Sequence, residues 1–186
     1  MKVNHGANLY DLSSQYGFSK EDFMDFSSNI NPFGSSKLAK KYVINNIDKV
    51  SVYPDPEYIE LKTSISNYCN CSIDNILLGS GATELISSFI ETINPKKSLL
   101  LSPAYSEYEK ELSKIGCNIN NPTGFTFTKN EVEKLLNSTN SFVMVDETYI
   151  EFTNMSIYSS TSLVDKYKNL FVIRGTSKCF STPGIR

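Results

Sequence analysis

The chain reads as an α/β protein: a three-layer domain with a mostly parallel sheet covered by helices. Three observations carry that reading. From Ile76 onward short apolar runs recur, ILL (76–78), LLL (99–101), FVMV (142–145) and LFVI (170–173). Amphipathic patterns of helical period lie between them, over 84–92, 105–115, 129–137 and 162–167. Strand alternating with helix is the grammar of a parallel sheet buried on both faces. Finally, every run is followed at once by residues that can do chemistry: GSGATE, SPAYSEY, DETY and RGTSK. Ligands of such sheets bind beyond the carboxyl ends of the strands, so the four segments are expected to converge on one edge.

Residues 1–34 are expected to form an irregular arm. It contains a short extended piece, DFSSNINPFG, that ends in turn chemistry at Asn31-Pro32 and Gly34. Ser35 or Ser36 can cap a helix running to about Ile47, with Leu38, Tyr42, Val43 and Ile47 on its apolar face. Asp55 then suits an N-cap and Pro56 a first helical residue, opening a helix that buries Leu61, Ile65 and Tyr68. Tyr53 is left in the preceding loop, either as a packing aromatic or as a phenol that donates to an anion. Thr128 and Glu131 form a capping box for the helix at 129–137. One irregularity stands out at 116–124, which passes from a helix end straight to a turn where the alternation calls for a strand and a crossover of about 10 residues.

Composition narrows the function classes. A chain of 186 residues suggests one domain with a core of its own, and 40% hydrophobic with 20% charged residues is ordinary for a soluble protein. The net charge of -2, without a dense basic block, argues against nucleic-acid binding. No apolar leader or membrane-length run is present, so a cytoplasmic protein with no membrane partner is expected. Cys69, Cys71, Cys117 and Cys179 match neither a disulfide framework nor a zinc ribbon, and His5 is the sole histidine. Free thiols and no metal site are expected.

The candidate site follows from the strand ends. GSGATE is a tight turn at a helix start, where the amides of Gly81, Ala82 and Thr83 and the hydroxyls of Ser80 and Thr83 face an anion; a plain capped turn is the alternative. Lys178 lies just past LFVI, and Arg186 follows at i+8 beyond a Pro-Gly turn. An amine that can form a Schiff base and a guanidinium fork that can hold a phosphate together suit a phosphorylated aldehyde, and pyridoxal phosphate carries both groups. Against this stands a solvated lysine and an idle arginine. Asp146, after four apolar residues, needs a positive partner such as a pyridinium nitrogen, or else caps the strand end. Tyr149 and Asn121 could hold a phenolate oxygen beside the aldehyde or be structural turn residues, and Tyr105 or Tyr108 could stack on a planar ring or pack in the core. His5 could touch a ligand or simply be solvated.

In this order, GSGATE, PAYSEY, NNPTG, VDETYIEF and SKCFSTPGIR resemble the motifs of the class I/II aminotransferase family of pyridoxal-phosphate enzymes, fold type I. The chain is most similar to the subgroup of histidinol-phosphate aminotransferases and threonine-phosphate decarboxylases. HGAN and DFSSNINPFG look more like the decarboxylases, because aminotransferases of the subgroup tend to carry an acidic residue where Ile30 stands. The resemblance implies that Lys178 forms the internal aldimine and moves protons at the substrate carbon. It implies further that Asp146 keeps the ring nitrogen protonated, that Asn121 and Tyr149 hold the 3-oxygen, and that Tyr105, with Tyr108 as second choice, stacks on the ring. Ser80, Gly81, Ala82, Thr83, Ser177 and Arg186 would cradle the phosphate. Tyr53 would reach the phosphate in a neighbouring subunit, implying a homodimer with shared sites. His5 and Asn31 are the substrate-side candidates.

Residues 35–186 would then be a partial large cofactor-binding domain. The family's pattern also leads one to expect a small C-terminal domain, absent from this sequence, carrying an arginine for the substrate carboxylate. The strand and crossovers that the family places between the PAY and NPTG motifs are missing as well. Two rival readings remain: a non-catalytic truncated domain of this fold, and a nucleotide-binding doubly wound domain. The latter expects an acidic ribose ligand about 20 residues after the glycines, where this chain has Ser102-Pro103.

Overall fold

The computed structural model describes residues 8–101, 104–117 and 127–185, together with the backbone of 118–120. Seven α-helices are described: α1 (Leu9–Tyr16), α2 (Lys37–Asn45), α3 (Ile59–Cys69), α4 (Ala82–Ile93), α5 (Ser106–Lys114), α6 (Lys129–Ser138) and α7 (Met155–Tyr158). The strands are β1 (Lys97–Leu99), β2 (Asn118–Asn120), β3 (Val143–Asp146) and β4 (Leu170–Ile173). Both pairings among the described residues are parallel, β1 with β2 and β3 with β4.

The three layers are visible in the period-two pattern of β3 and β4. Val143 pairs with Leu170, Met144 with Phe171, and Val145 with Val172. On one face Met144, Phe171 and Ile173 pack with Ile86 and Ile90 of α4 and Tyr108 and Leu112 of α5. On the other, Val143, Val145, Leu170 and Val172 pack with Val132 and Leu136 of α6. A strand covered on both sides has no use for polar alternation, which is why LFVI is a bare apolar run. Ile86 and Ile173 are fully buried, and Phe89 stacks on Phe171 with ring centroids 4.6 Å apart.

Several sequence expectations shift. Residues 76–78 make no described strand, and Leu77 is 63% exposed, so this run has lost the pairing its composition suited. β1 begins at Lys97 instead of within LLL, because its parallel partner β2 takes up Lys97 to Leu99. β2 is itself the strand the alternation called for, so the chain does not run directly from helix to turn at this point. Residues 162–167 hold only a short 3-10 turn, Thr161–Leu163, and α1 lies inside the supposedly irregular arm.

Asp55 does cap, but not by opening a helix at Pro56. Its carboxylate accepts from the amides of Glu57 and Ile59 at 3.0 and 3.1 Å, and α3 starts at Ile59. Only Cys69 of α3 is buried; Leu61 and Tyr68 stay about half exposed. The α2 face fares similarly, with Leu38 80% exposed: helical periodicity creates an apolar stripe without ensuring that the described residues cover it.

Candidate active site

β3 and β4 end side by side, so the loops that leave them start as neighbours. Asp146 closes β3, paired in register with Ile173. Its Oδ1 accepts the Thr148 amide at 2.9 Å, as a strand-end cap does, and its Oδ2 accepts the Tyr108 hydroxyl at 2.6 Å. Asp146 thus caps the strand end with one oxygen, and a phenol holds the other. Tyr108 sits in the core cluster, and burial first, then the Asp146 charge and hydrogen bond, push its phenol far above the ordinary value. Tyr105, the N-cap of α5, meets Tyr108 edge to face at 6.4 Å and is 46% exposed, so its ring is the open one of the pair.

The second loop brings Lys178. Its Nζ lies 5.7 Å from the centroid of the Tyr149 ring, which is 42% exposed. The backbone around it is held from the arm: the Asn31 amide donates to the Lys178 carbonyl at 3.0 Å and Asn31 Nδ2 to the Cys179 carbonyl at 2.9 Å. Ser35 Oγ adds a bond to the Ser181 carbonyl at 2.6 Å. Asn31, expected on the substrate side, is thus engaged through its Nδ2 in pinning the lysine loop. Ser177 is half-buried in the same loop.

GSGATE opens α4, with Gly81 at its N-cap at φ 100, ψ 164, a conformation that only glycine adopts without strain. The first-turn amides of a helix have no partner within it, and the loop already shows a taste for anions: the Glu84 carboxylate accepts the Ser80 amide. Ala82 packs against the cluster that contains Tyr108 and Ile173, tying this turn to the same side of the sheet. Tyr53 is 99% exposed. His5, Asn121 and Arg186 lie outside the described residues. Among the described residues no cluster suits a metal ion, and Cys69, Cys71 and Cys179 are free thiols.

Sequence reasoning missed a buried network beside these residues. Arg174, one residue past β4, reaches Glu147 at 3.2 Å and Glu151 at 2.5 Å. The only sequence signal was the pair of carboxylates four residues apart, Glu147 and Glu151, on either side of Tyr149.

An amine beside a phenol, a carboxylate held by a hydrogen-bond donor, and a glycine-opened helix start on one α/β scaffold define a class of protein. The chain belongs to the aminotransferase class I and II family, whose profile matches residues 21–117 and 108–186. It is 31% identical to the adenosylcobalamin biosynthesis bifunctional protein CobDQ of Leptospira interrogans over 98% of this chain and 25% of that protein. It is 26% identical to the threonine-phosphate decarboxylase of Salmonella typhimurium, over 98% of this chain and 60% of the relative. Among solved structures, histidinol-phosphate aminotransferase from Clostridium acetobutylicum superimposes with a TM-score of 0.78 at 30% identity, covering 88% of this chain and 59% of that one. The chain thus spans between 25% and 60% of the length of these relatives.

The family profile matches in two pieces that meet at 108–117. The CobDQ match runs over 221 positions although this chain has 186 residues, an excess that gaps on this side must supply. Across the matched stretch this chain is therefore shorter than that relative. The structure of histidinol-phosphate aminotransferase from Sinorhizobium meliloti, solved with pyridoxal-5'-phosphate, shares the fold at a TM-score of 0.76 and 14% identity over 99% of this chain and 61% of that one. The residues present here fit such a group: a lysine amine, a carboxylate with a bound donor, an adjacent phenol and an anion-accepting helix start.

Proposed function

We propose that this chain is the cofactor-binding part of a pyridoxal-phosphate enzyme that acts at the α-carbon of a phosphorylated amino acid, of the threonine-phosphate decarboxylase or histidinol-phosphate aminotransferase type. The observation that supports this most is the placement of Lys178 Nζ over the Tyr149 ring, on the loop next to the one that Asp146 opens. When bound, pyridoxal phosphate supplies an aldehyde carbon and a ring that accepts the electron pair released at the substrate carbon. Lys178 would hold that aldehyde, then give and take the proton at the α-carbon. Asp146 would accept a hydrogen bond from the ring nitrogen and keep it charged, with Tyr108 holding the carboxylate in place. Tyr149 and Asn121 would bind the ring oxygen, while Tyr105 would cover one face and exclude water. The amides of Gly81, Ala82 and Thr83, the hydroxyls of Ser80, Thr83 and Ser177, and Arg186 would take the phosphate.

Within the subgroup we favour decarboxylation, on Ile30 and the HGAN segment. A homodimer in which Tyr53 serves the neighbouring site belongs to the same reading, as does a cytoplasmic location. Incubating the protein and pyridoxal phosphate with L-threonine O-3-phosphate and measuring carbon dioxide release tests the choice. Histidinol phosphate is the competing substrate, read by amino-group transfer. A second reading has its own support in the two-piece family match: a chain that keeps the fold without a complete site. Failure to bind the cofactor at all would favour it.

A further inference from the structure

Arg174 is the most enclosed cation in the ion pairs of the described residues. Its side chain is 17% exposed, while Lys110, Lys114 and Lys166 are more than half exposed in theirs. Its two carboxylate partners are 2% and 7% exposed. Nη1 donates to Glu147 Oε2, and Nη2 to Glu151 Oε1. Glu147 also accepts the Ser159 hydroxyl at 2.9 Å and the Ser160 amide at 2.5 Å. From α3, the Tyr68 ring lies 5.5 Å from the guanidinium carbon. Burial works against the Arg174 charge, but the Glu151 and Glu147 carboxylates outweigh it and leave its pKa raised.

As mere glue this is a poor choice, since a buried ion pair often stabilises no better than apolar packing of the same volume. A guanidinium fork does what apolar packing cannot: it fixes two carboxylates at set angles and distances. Here the two carboxylates stand two residues before and two residues after Tyr149, and the arginine stands four residues before Lys178. The β3–β4 ladder has its last described rung at the Glu147 amide and Ile173 carbonyl, 2.8 Å apart. The fork begins at the next residue. We propose that Arg174, Glu147 and Glu151 form a clasp that sets the position of the Tyr149 ring relative to Lys178, making Arg174 a positioning residue. The proposal rests on the reading of Lys178 and Tyr149 given above.

Two variants test it. Arg174→Lys keeps the charge and loses the fork. The pair Arg174→Met with Glu151→Gln removes one charge of each sign and leaves Glu147 its Ser159 and Ser160 partners. Hydrogen exchange of the cofactor-free chain is read at the Glu147, Ile150 and Thr153 amides, which bond the Ile173, Glu147 and Ile150 carbonyls. The clasp predicts exchange about tenfold faster there in both variants, with α6 unchanged. Pyridoxal phosphate is then titrated and fixed with borohydride. The clasp predicts affinity lower by about tenfold and label spread from Lys178 to other lysines in a folded protein. Acceleration that includes α6, or affinity and labelling as in the parent chain, would overturn the proposal. If the parent chain itself binds no pyridoxal phosphate, the functional reading fails and exchange alone decides the clasp.

Discussion

Replacing Tyr108 with Phe removes one hydroxyl and leaves the ring, so it isolates the bond to Asp146. The phenol is 8% exposed and its partner is a carboxylate at 2.6 Å. A hydrogen bond to a charged group contributes about 1.5–3 kcal/mol, and the low end applies here because Asp146 is exposed enough to rehydrate. The parent chain should therefore be more stable than the variant by about 1.5 kcal/mol near neutral pH.

Alkaline pH supplies the sharper test. The folded pKa of Tyr108 is raised far above the unfolded value of about 10. Its contribution is present in full below that value and is lost as pH climbs toward the folded one. Above pH 10 the unfolded chain releases the proton first, so the parent loses about 1.4 kcal/mol per pH unit through this group. The Phe variant does not. The difference between the two stabilities should vanish about one unit above pH 10 and then reverse. The other ten of the 11 tyrosines, and the cysteines, act on both chains and cancel. Urea unfolding at intervals from pH 7 to 11.5 measures the difference. Parallel pH curves for the two proteins would refute the buried, Asp146-bonded phenol.

Three further outcomes are expected. Ile173→Ala, at a fully buried strand position between β3 and α4, should cost about 2–5 kcal/mol, read from the urea midpoint. Thr128→Ala should cost about 1 kcal/mol, because the Thr128 hydroxyl accepts the Glu131 amide in a complete capping box at the start of α6. Gly81→Ala should cost about 1–3 kcal/mol from backbone strain at φ 100, since no neighbour obstructs the added methyl, and should weaken pyridoxal-phosphate binding in a fluorescence titration.

The layers were legible because burial on both faces leaves a plain mark, as in LFVI, and because the Thr128/Glu131 box announces a helix start. What failed did so for physical reasons. Residues 76–78 have the composition of a strand, but pairing depends on a neighbour that no local pattern reveals. The exposed face of α2 has the period of a buried helix. α1 was hidden by a short, weakly capped stretch, although Gly17 in the left-handed conformation marks its end. In the candidate site, Lys178, Tyr149 and Asp146 were named from the sequence because each follows an apolar run. The donor to Asp146 was not, since 38 residues separate it from Tyr108. The Arg174 clasp escaped for the same reason: 27 residues separate Arg174 from Glu147, and nothing in the sequence between them encodes the contact.

The most direct test of the functional account is to mix the purified chain with pyridoxal phosphate, reduce with borohydride and map the labelled peptide by mass spectrometry. The account predicts a visible absorption band before reduction and label on Lys178, with both lost in Lys178→Ala. No band, or label scattered equally over the lysines of the parent chain, would contradict it.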